Sequence, residues 1–415
     1  MKNKEFTILK LLYFIRYFGD ALFYSFFQIF LGYKGLSEGN IGMVASITPI
    51  TGIICNPFWN HLSKDVNTNR KIMKVITIIE GIFFLIFIPL NRLELICIIT
   101  CLIAIVGSPF YTLLDGFGST YVEKNNIPYA KIRIMGSLAY VFGTILGGFL
   151  IEKAGYQITI VISASIFILC SLIIQFLKPI ENVTNEAENK KDYKAILKNK
   201  SFYFYSLFYL FTVTISTQGD NFMGLFLTKQ CGLSTSVYGI VGGIIILFEV
   251  ITLFIMSKIK FEGKEAKFLI FAGIIYFIRS FLLGFNLPLP LIITIVFLRG
   301  ISWGCVLAVH IKYLIKIVGL QNITSAIFIL SIFTSIFSFI ASNIFGRIIE
   351  ISGYNFTYLI IGIICISATA LYLTYLIINK SHKKCYWHID YILLQCVENY
   401  MWIFPDIYPF SPHNP

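Results

Sequence analysis

Long apolar stretches separated by short polar ones run along nearly the whole chain. Each stretch has about the 20 residues that an α-helix needs to cross the roughly 30 Å hydrocarbon core of a bilayer. The stretches lie near residues 9–32, 40–62, 72–90, 93–117, 133–151, 156–178, 202–228, 236–257, 267–286, 288–311, 323–346 and 355–378. The pattern therefore predicts an all-α, polytopic membrane protein with twelve transmembrane helices.

The composition narrows the class of protein further. Hydrophobic residues make up 57% of the 415 residues and charged residues only 13%, and the mean hydropathy is +0.79. This balance excludes a soluble multidomain enzyme. The H-E-x-x-H motif of a membrane-embedded metal enzyme does not occur, and the nine cysteines include no C-x-x-C pair. We therefore expect neither an enzyme nor a bound cofactor or metal.

Positive charges are distributed unevenly between the loops. Lysine and arginine concentrate at the amino terminus, in every second loop and near the carboxyl terminus. The alternate loops hold only Lys34, Arg92, Lys153, Lys229 and Arg347. This asymmetry predicts a multi-pass protein of the cell membrane with both termini in the cytoplasm. The net charge of +12 then reflects topology, so we expect a lipid bilayer and a small-molecule substrate as partners, no nucleic acid, and a monomer.

The chain repeats itself at an interval near 198 residues. The repeated segments are Gly148–Tyr156 with Gly346–Tyr354, Gly35–Ser37 with Gly232–Ser234, and Gly19-Asp20 with Gly219-Asp220. They predict six-helix halves over residues 1–180 and 201–379, joined by a polar cytoplasmic linker at 181–200. Two parallel halves with a substrate site between them are the architecture of major facilitator transporters. Residues 380–415 do not fit this pattern, and an interfacial tail and a sequence artefact both stay open.

Charged residues inside predicted spans are costly and mark function by default. Asp115 ends the fourth span and Arg133 begins the fifth, where helical spacing puts Arg133 and Tyr140 on one face. A carboxylate and a guanidinium fork can bind vicinal hydroxyls, while an aromatic face meets the C–H face of a sugar ring. These three residues form the predicted substrate site. A structural ion pair beside a packing seam is the alternative.

Three further spans carry polar side chains that are expected to contribute to this site. In the first span Asp20, Tyr24 and Gln28 belong to a polar aromatic stripe with helical spacing, which predicts a cavity lining or, alternatively, a helix contact. The seventh span contains too many polar groups to face lipid, among them Asp220. On the tenth span Trp303 shares a face with Arg299. Glu80 on the third span has no evident partner.

Several of these segments resemble the lactose permease and phenylpropionate permease branch of the major facilitator superfamily, which contains proton-driven symporters. The segments are Asp115–Gly143, the aromatic run Ala21–Leu31, the loop from Pro57-Phe58-Trp59 to Arg70-Lys71, and Ala272-Gly273 with Arg279, Leu298-Arg299 and Lys312-Tyr313. The resemblance implies that Asp115 accepts substrate hydroxyls, that Arg133 lies beside it and that Tyr140 stacks on a sugar. It also implies a gate loop, which here contains Ser63, Asp65, Arg70 and Lys71.

The chain departs from this family at the proton site. Arg299 and Ser302 stand where lactose permease has a histidine and the glutamate that takes the proton. Arg279 matches an arginine of that proton site. The coupling carboxylate is therefore sought among Asp20, Asp220 and Glu249, because loss of hydration in an apolar span favours the protonated form. Glu249 is the first choice as partner of Arg279, since its helix directly precedes that of Arg279, and Asp220 is the second.

The sequence therefore predicts a transporter that imports a small polar solute, such as a sugar, an oligosaccharide or a nucleoside, together with protons. A drug or metabolite exporter and an aromatic-acid permease are the alternatives within transport. A membrane sensor without transport activity is the alternative outside it.

Overall fold

A computed structural model describes residues 2–63, 65–179, 193–259 and 263–401 of the chain, and among these the side chains from residue 4 to residue 379 except those of residues 60, 66, 130 and 195. All regular elements in these residues are helices, as the apolar pattern predicts. Lys64, most of the predicted linker 181–200 and the end of the predicted tail lie outside the described residues.

The described residues of the first half form seven helices. They are α1 (Lys2–Tyr24), α2 (Phe27–Tyr33), α3 (Glu38–Leu62), α4 (Val66–Ile86), α5 (Leu93–Gly107), α6 (Phe110–Lys124) and α7 (Ala130–Gln175). The second half follows after residue 192. It contains α8 (Tyr193–Lys198), α9 (Lys200–Phe208), α10 (Ile215–Asn221), α11 (Met223–Leu225), α12 (Thr235–Ser257), α13 (Glu265–Leu283), α14 (Leu289–Val318) and α15 (Ile323–Met401), with π-helical turns at Tyr209–Thr214 and Phe226–Gln230 and a 3₁₀ turn at Leu320–Asn322.

Local backbone chemistry explains where these helices differ from the predicted spans. The fourth predicted span is divided into α5 and α6 at Pro109, whose ring removes a backbone donor. Conversely, α7 and α15 each contain two predicted spans, which meet at Gly155 (φ 83°) and Gly353 (φ 82°). Glycine adopts this backbone conformation without steric cost. Among the described residues, seven helices are long and apolar enough to cross a membrane, and the count of twelve crossings stays a prediction.

The two halves meet along two pairs of helices, α3 with α15 and α7 with α12. Glycines allow the close approach in both pairs. A side-chain carbon on Gly42 would lie 3.1 Å from the Cα of Gly346, and one on Gly148 would lie 3.1 Å from the Cα of Gly239. Because Gly42 and Gly239 correspond in the sequence repeat, as do Gly148 and Gly346, one contact occurs twice in a pseudo-symmetric arrangement.

Candidate functional site

A central cavity of about 740 Å³ lies between the two halves. Six predicted substrate-site residues line it, namely Asp20, Tyr24, Gln28, Asp115, Arg133 and Tyr140. Helices α1, α2, α6 and α7 contribute these side chains, and Gln218 and Asn221 of α10 contribute from the second half. The cavity therefore brings together polar residues that lie far apart along the chain.

Asp115 is held by two tyrosines and not by Arg133. Its Oδ1 accepts hydrogen bonds from the hydroxyls of Tyr13, at 2.9 Å, and Tyr129, at 2.6 Å. The Arg133 guanidinium lies over the ring of Tyr17, 4.9 Å from its centre, and the residue is exposed. Among the described ion pairs there is none between Asp115 and Arg133. The guanidinium donors are therefore available to a ligand in the cavity.

A buried charge cluster lies in the first half, at the wall of the same cavity. Arg16 donates from Nη1 to Glu80 Oε2 at 2.7 Å and from Nη2 to Glu80 Oε1 at 3.0 Å. Its Nε lies 3.4 Å from Oδ2 of Asp20. The sequence-based view of Glu80 as a residue without a partner is wrong, because its partner lies on another helix, 64 residues away in the chain.

A second charge cluster lies in the other half and has the opposite balance of charge. One Asp220 oxygen lies 2.7 Å from Nη2 of Arg279, and the other accepts from Nε of Arg299 at 2.7 Å. Arg279 is completely buried. Asp220 and Arg299 line a smaller cavity of about 240 Å³, whose wall shares Tyr24 and other residues with the central cavity. The structure thus pairs Arg279 with Asp220, the second choice of the sequence analysis.

Two predicted site residues lie apart from these groups. Glu249 of α12 is half-buried, and the described ion pairs do not include it, so the expected pairing with Arg279 is absent from this conformation. Trp303 of α14 packs against the hydrophobic core and does not line either of the two cavities. The predicted place of Trp303 in the substrate site therefore stays a prediction, whereas Arg299, which was predicted on the same helical face, lines the smaller cavity.

The predicted gate loop makes its contacts within the first half. Asp65 accepts hydrogen bonds from the backbone N–H groups of Asn67 and Thr68 at the start of α4, and the hydrogen bonds from Thr68 hold the pKa of Asp65 below its usual value. Ser63 bonds to Asn69, and Arg70 bonds to a carbonyl near the end of α7, that of Leu177. The exposed Lys71 lies on the same turn of α4 as Arg70.

At the opposite end of the molecule, polar contacts bridge the halves. Lys229 donates to Glu38 at 2.9 Å, and the hydroxyl of Tyr354 donates to the same carboxylate at 3.0 Å. Burial opposes ionisation of Glu38, but these two donors outweigh it and lower its pKa. Glu152 accepts from the backbone N–H of Ser236 at 3.0 Å. This end of the central cavity is therefore closed.

Toward the gate loop the space between the halves continues. A further cavity of about 440 Å³ shares Thr48 and Pro49 with the central cavity and reaches Ser63 of the gate loop. Its far wall is Phe328 and neighbouring residues of α15. A polar chamber between two helical halves, closed at one end and continued at the other, defines a membrane transporter of the major facilitator type.

Comparison with known proteins identifies the family. The sequence pattern of the MFS_1 like family matches residues 6–360. The chain belongs to this family. The uncharacterized transporter YwbF of Bacillus subtilis (strain 168) is 24% identical over 318 residues, which span 76% of this chain and 79% of that protein.

More distant similarities extend to transporters with named substrates. The maltose permease of Geobacillus stearothermophilus is 20% identical over 37% of this chain and 39% of its own. The probable 3-phenylpropionic acid transporter of Escherichia coli (strain K12) is 21% identical over 35% of this chain and 38% of its own. The crystal structure of the nucleoside transporter NupG superimposes with a TM-score of 0.75 at 14% identity, over 89% of this chain and 98% of that one.

Proposed function

We propose that the protein is a proton-coupled symporter that imports a small polar solute such as a sugar, an oligosaccharide or a nucleoside. The observation that carries this proposal is the convergence of Asp115, Arg133 and Tyr140 on one central cavity. The volume of about 740 Å³ is within the range of roughly 300–1,000 Å³ typical of small-molecule sites. Relatives named for maltose and nucleoside transport support the same class of substrate.

In this proposal the substrate hydroxyls are shared between the two charged residues. Tyr13 and Tyr129 already donate to one Asp115 oxygen, and these bonds fix the orientation of the carboxylate. Its remaining acceptor positions bind substrate hydroxyls, and the Arg133 fork donates to neighbouring substrate oxygens. Tyr140 and Tyr24 supply aromatic faces for the ring of the solute.

Coupling is assigned to the intramembrane carboxylates Asp20, Asp220 and Glu249. Asp220 connects Arg279 of α13 to Arg299 of α14, so a change in its pairing would shift two helices of the second half. The gate loop, with Asp65 capping α4, is proposed to lock the other end of the chamber when the molecule opens outward.

Uptake into proteoliposomes tests the proposal. Purified protein is reconstituted and supplied with labelled sugars, nucleosides and aromatic acids. Uptake is measured with and without an inwardly directed proton gradient, in which the outside is more acidic than the inside. We expect a neutral polar solute to accumulate, and a protonophore should abolish this accumulation. An Asp115→Asn variant is the matched loss-of-site control. Downhill uptake that is indifferent to the pH gradient would indicate a uniporter instead.

An aromatic-acid permease is the second candidate, favoured by the charge balance around Asp220. One carboxylate lies between two guanidinium groups there, so the cluster carries an excess positive charge beside the smaller cavity. A carboxylate substrate would neutralise that charge. In the uptake panel this candidate predicts transport of aromatic acids that is lost in Arg299→Gln and retained in Asp115→Asn.

A further inference from the structure

Asp20 is a buried carboxylate without a hydrogen-bond donor. The residue is only 4% exposed, and neither of its side-chain oxygens receives a hydrogen bond. Its nearest cation is Arg16, whose Nε lies 3.4 Å away without making a hydrogen bond. The two terminal nitrogens of Arg16 are both engaged by Glu80. The arginine is therefore committed to Glu80, and Asp20 is left with an incompletely compensated charge.

The groups around Asp20 confirm this imbalance on every side. Its own helix supplies Arg16, Tyr17 and Tyr24, and the neighbouring helices supply Glu80 from α4, and Tyr140 and Cys170 from α7. The tyrosines and the cysteine are neutral in the protonated form. When both carboxylates are ionised, the cluster has two negative charges and one positive charge. A buried site of this kind is stabilised by taking up one further positive charge.

Asp20 lies in the wall of the central chamber, although its carboxylate oxygens are buried. Asp20, Arg16 and Glu80 all line the central cavity, together with Asp115 and Arg133. A proton that enters the cavity therefore has only the cavity wall between it and the Asp20 carboxylate. We propose that Asp20 is a proton-binding site, with Arg16 and Glu80 as its positioning residues, in the half of the molecule opposite to Arg279. The step takes one proton from cavity water and converts the Asp20 carboxylate to the neutral acid, which leaves the Arg16–Glu80 pair balanced.

Chemistry favours the proton over an alkali cation. A hard metal ion takes several oxygen ligands and keeps its charge, so the Arg16 guanidinium, 3.4 Å from the Asp20 carboxylate, would repel it, whereas a bound proton gives a neutral acid. Asp220 is a weaker choice because it already lies 2.7 Å from each of two guanidinium groups, whereas the oxygens of Asp20 receive no hydrogen bond. This inference deepens the proposed function, since it assigns the coupling proton of the proposed symport to Asp20, in preference to Glu249 and Asp220.

Infrared difference titration of the full-length protein in lipid nanodiscs tests the site without any substrate. The probe is the proton itself, and the signal is the C=O stretching band of a buried carboxylic acid as pH is raised. We expect the wild-type protein to show such a band, and Asp20→Asn to lose it. Glu249→Gln is the matched control that should keep it. Loss of the band in the control but not in Asp20→Asn would overturn the assignment.

A second variant separates a proton site from a merely structural cluster. In Glu80→Gln the guanidinium of Arg16 is released and can pair with Asp20, so the band should disappear at lower pH than in the wild-type protein. A purely structural role for Glu80 predicts no displacement of the titration. Addition of NaCl in place of KCl should leave the band unchanged, and a sodium-dependent loss of the band would show that the site binds an alkali ion instead.

Uptake measurements then distinguish failure of this inference from failure of the proposed function. If the wild-type protein accumulates solute with a pH gradient and Asp20→Asn does so equally well, the site is not the coupling site although the symport stands. If the titrating band belongs to Asp20 but wild-type uptake does not depend on the pH gradient, Asp20 binds a proton and the proposed proton symport is wrong. We expect Asp20→Asn to retain exchange and lose uphill accumulation.

Discussion

Glu350 accepts a hydrogen bond from the backbone N–H of Gly39, 3.2 Å away in the other half of the molecule. The acceptor is on α15 and the donor is in the first turn of α3, where free N–H groups and the helix dipole favour a carboxylate. Glu152 makes the equivalent contact with the N–H of Ser236 in the first turn of α12. Each half therefore caps a helix of the other, and we call Glu152 and Glu350 the capping glutamates.

Removal of both capping glutamates should shift the molecule toward a state that is open at this end. Glutamine keeps the size of the side chain but loses the negative charge that the helix start favours. The double variant Glu152→Gln with Glu350→Gln should therefore populate larger distances between the two halves at this end. Spin labels at Asn91 and Phe285, which lie in loops of opposite halves, report that distance. Glu94→Gln, at an exposed glutamate of the neighbouring helix start, is the control. An unchanged distance distribution in the double variant would contradict the capping role.

Gly148 should tolerate no side chain in the observed conformation. A side-chain carbon there would lie 2.5 Å from the carbonyl oxygen of Thr235, which is far inside van der Waals contact. We expect Gly148→Val to force α7 and α12 apart and to speed the labelling of a cysteine placed at Tyr238 severalfold. Gly52→Val is the matched control, because nothing lies within 4 Å of the corresponding carbon. Equal labelling rates in the two variants would refute the close contact.

Arg133→Lys should weaken substrate binding and leave the fold intact. Lysine keeps the charge but loses the planar fork, and a hydrogen bond to a charged group contributes about 1.5–3 kcal/mol, so roughly a tenfold loss of affinity or more is expected. Binding of the best solute from the uptake panel, measured by calorimetry, checks this. Lys131→Gln removes an exposed charge two residues earlier and should bind normally. Normal affinity in Arg133→Lys would remove Arg133 from the site.

Asp220→Asn should destabilise the protein more than loss of the positive charge of Arg299, which lies at the cavity side. Arg279 is fully buried, and removal of one partner of a buried pair costs about 3–5 kcal/mol. Arg299 is 34% exposed in its side chain, so Arg299→Gln leaves the Asp220–Arg279 pair in place and should have a much smaller effect. Thermal unfolding in nanodiscs measures both. Addition of Arg279→Gln to Asp220→Asn should recover part of the lost stability, and no recovery would show that the pair is not responsible.

The sequence predicts the helices and the repeat because both depend on residues that can be recognised in short segments of the chain. Apolar runs of bilayer length require helices, and the repeated glycines could be recognised without any structure. Even the closing contacts follow the repeat, since Gly42 and Gly239 occupy corresponding positions. The breaks at Ser25 and Pro109 were not predicted, because hydropathy does not distinguish a continuous helix from two shorter ones that share one apolar run.

Side-chain partners were predicted less well because they depend on the rotation of separate helices. Glu80 meets Arg16 across two helices, and no spacing rule relates residues of different helices. Proximity in the chain suggested Glu249 as the partner of Arg279, whereas packing brings Asp220 to it. The helical stripe of the first span was more informative, because Asp20 and Tyr24 of α1 and Gln28 of α2 all line the cavity although the helix is interrupted between them.

The capping glutamates also have a consequence for the ancestry of the fold. In the sequence repeat Glu152 corresponds to Glu350, and Gly39 corresponds to Ser236, so the two bonds are related in the manner of an isologous dimer interface. Each six-helix unit carries both the acceptor and the donor. Two separate copies of one such unit could therefore have closed on each other by this same pair of bonds before their genes were joined, and a single change in that unit would have altered both bonds at once.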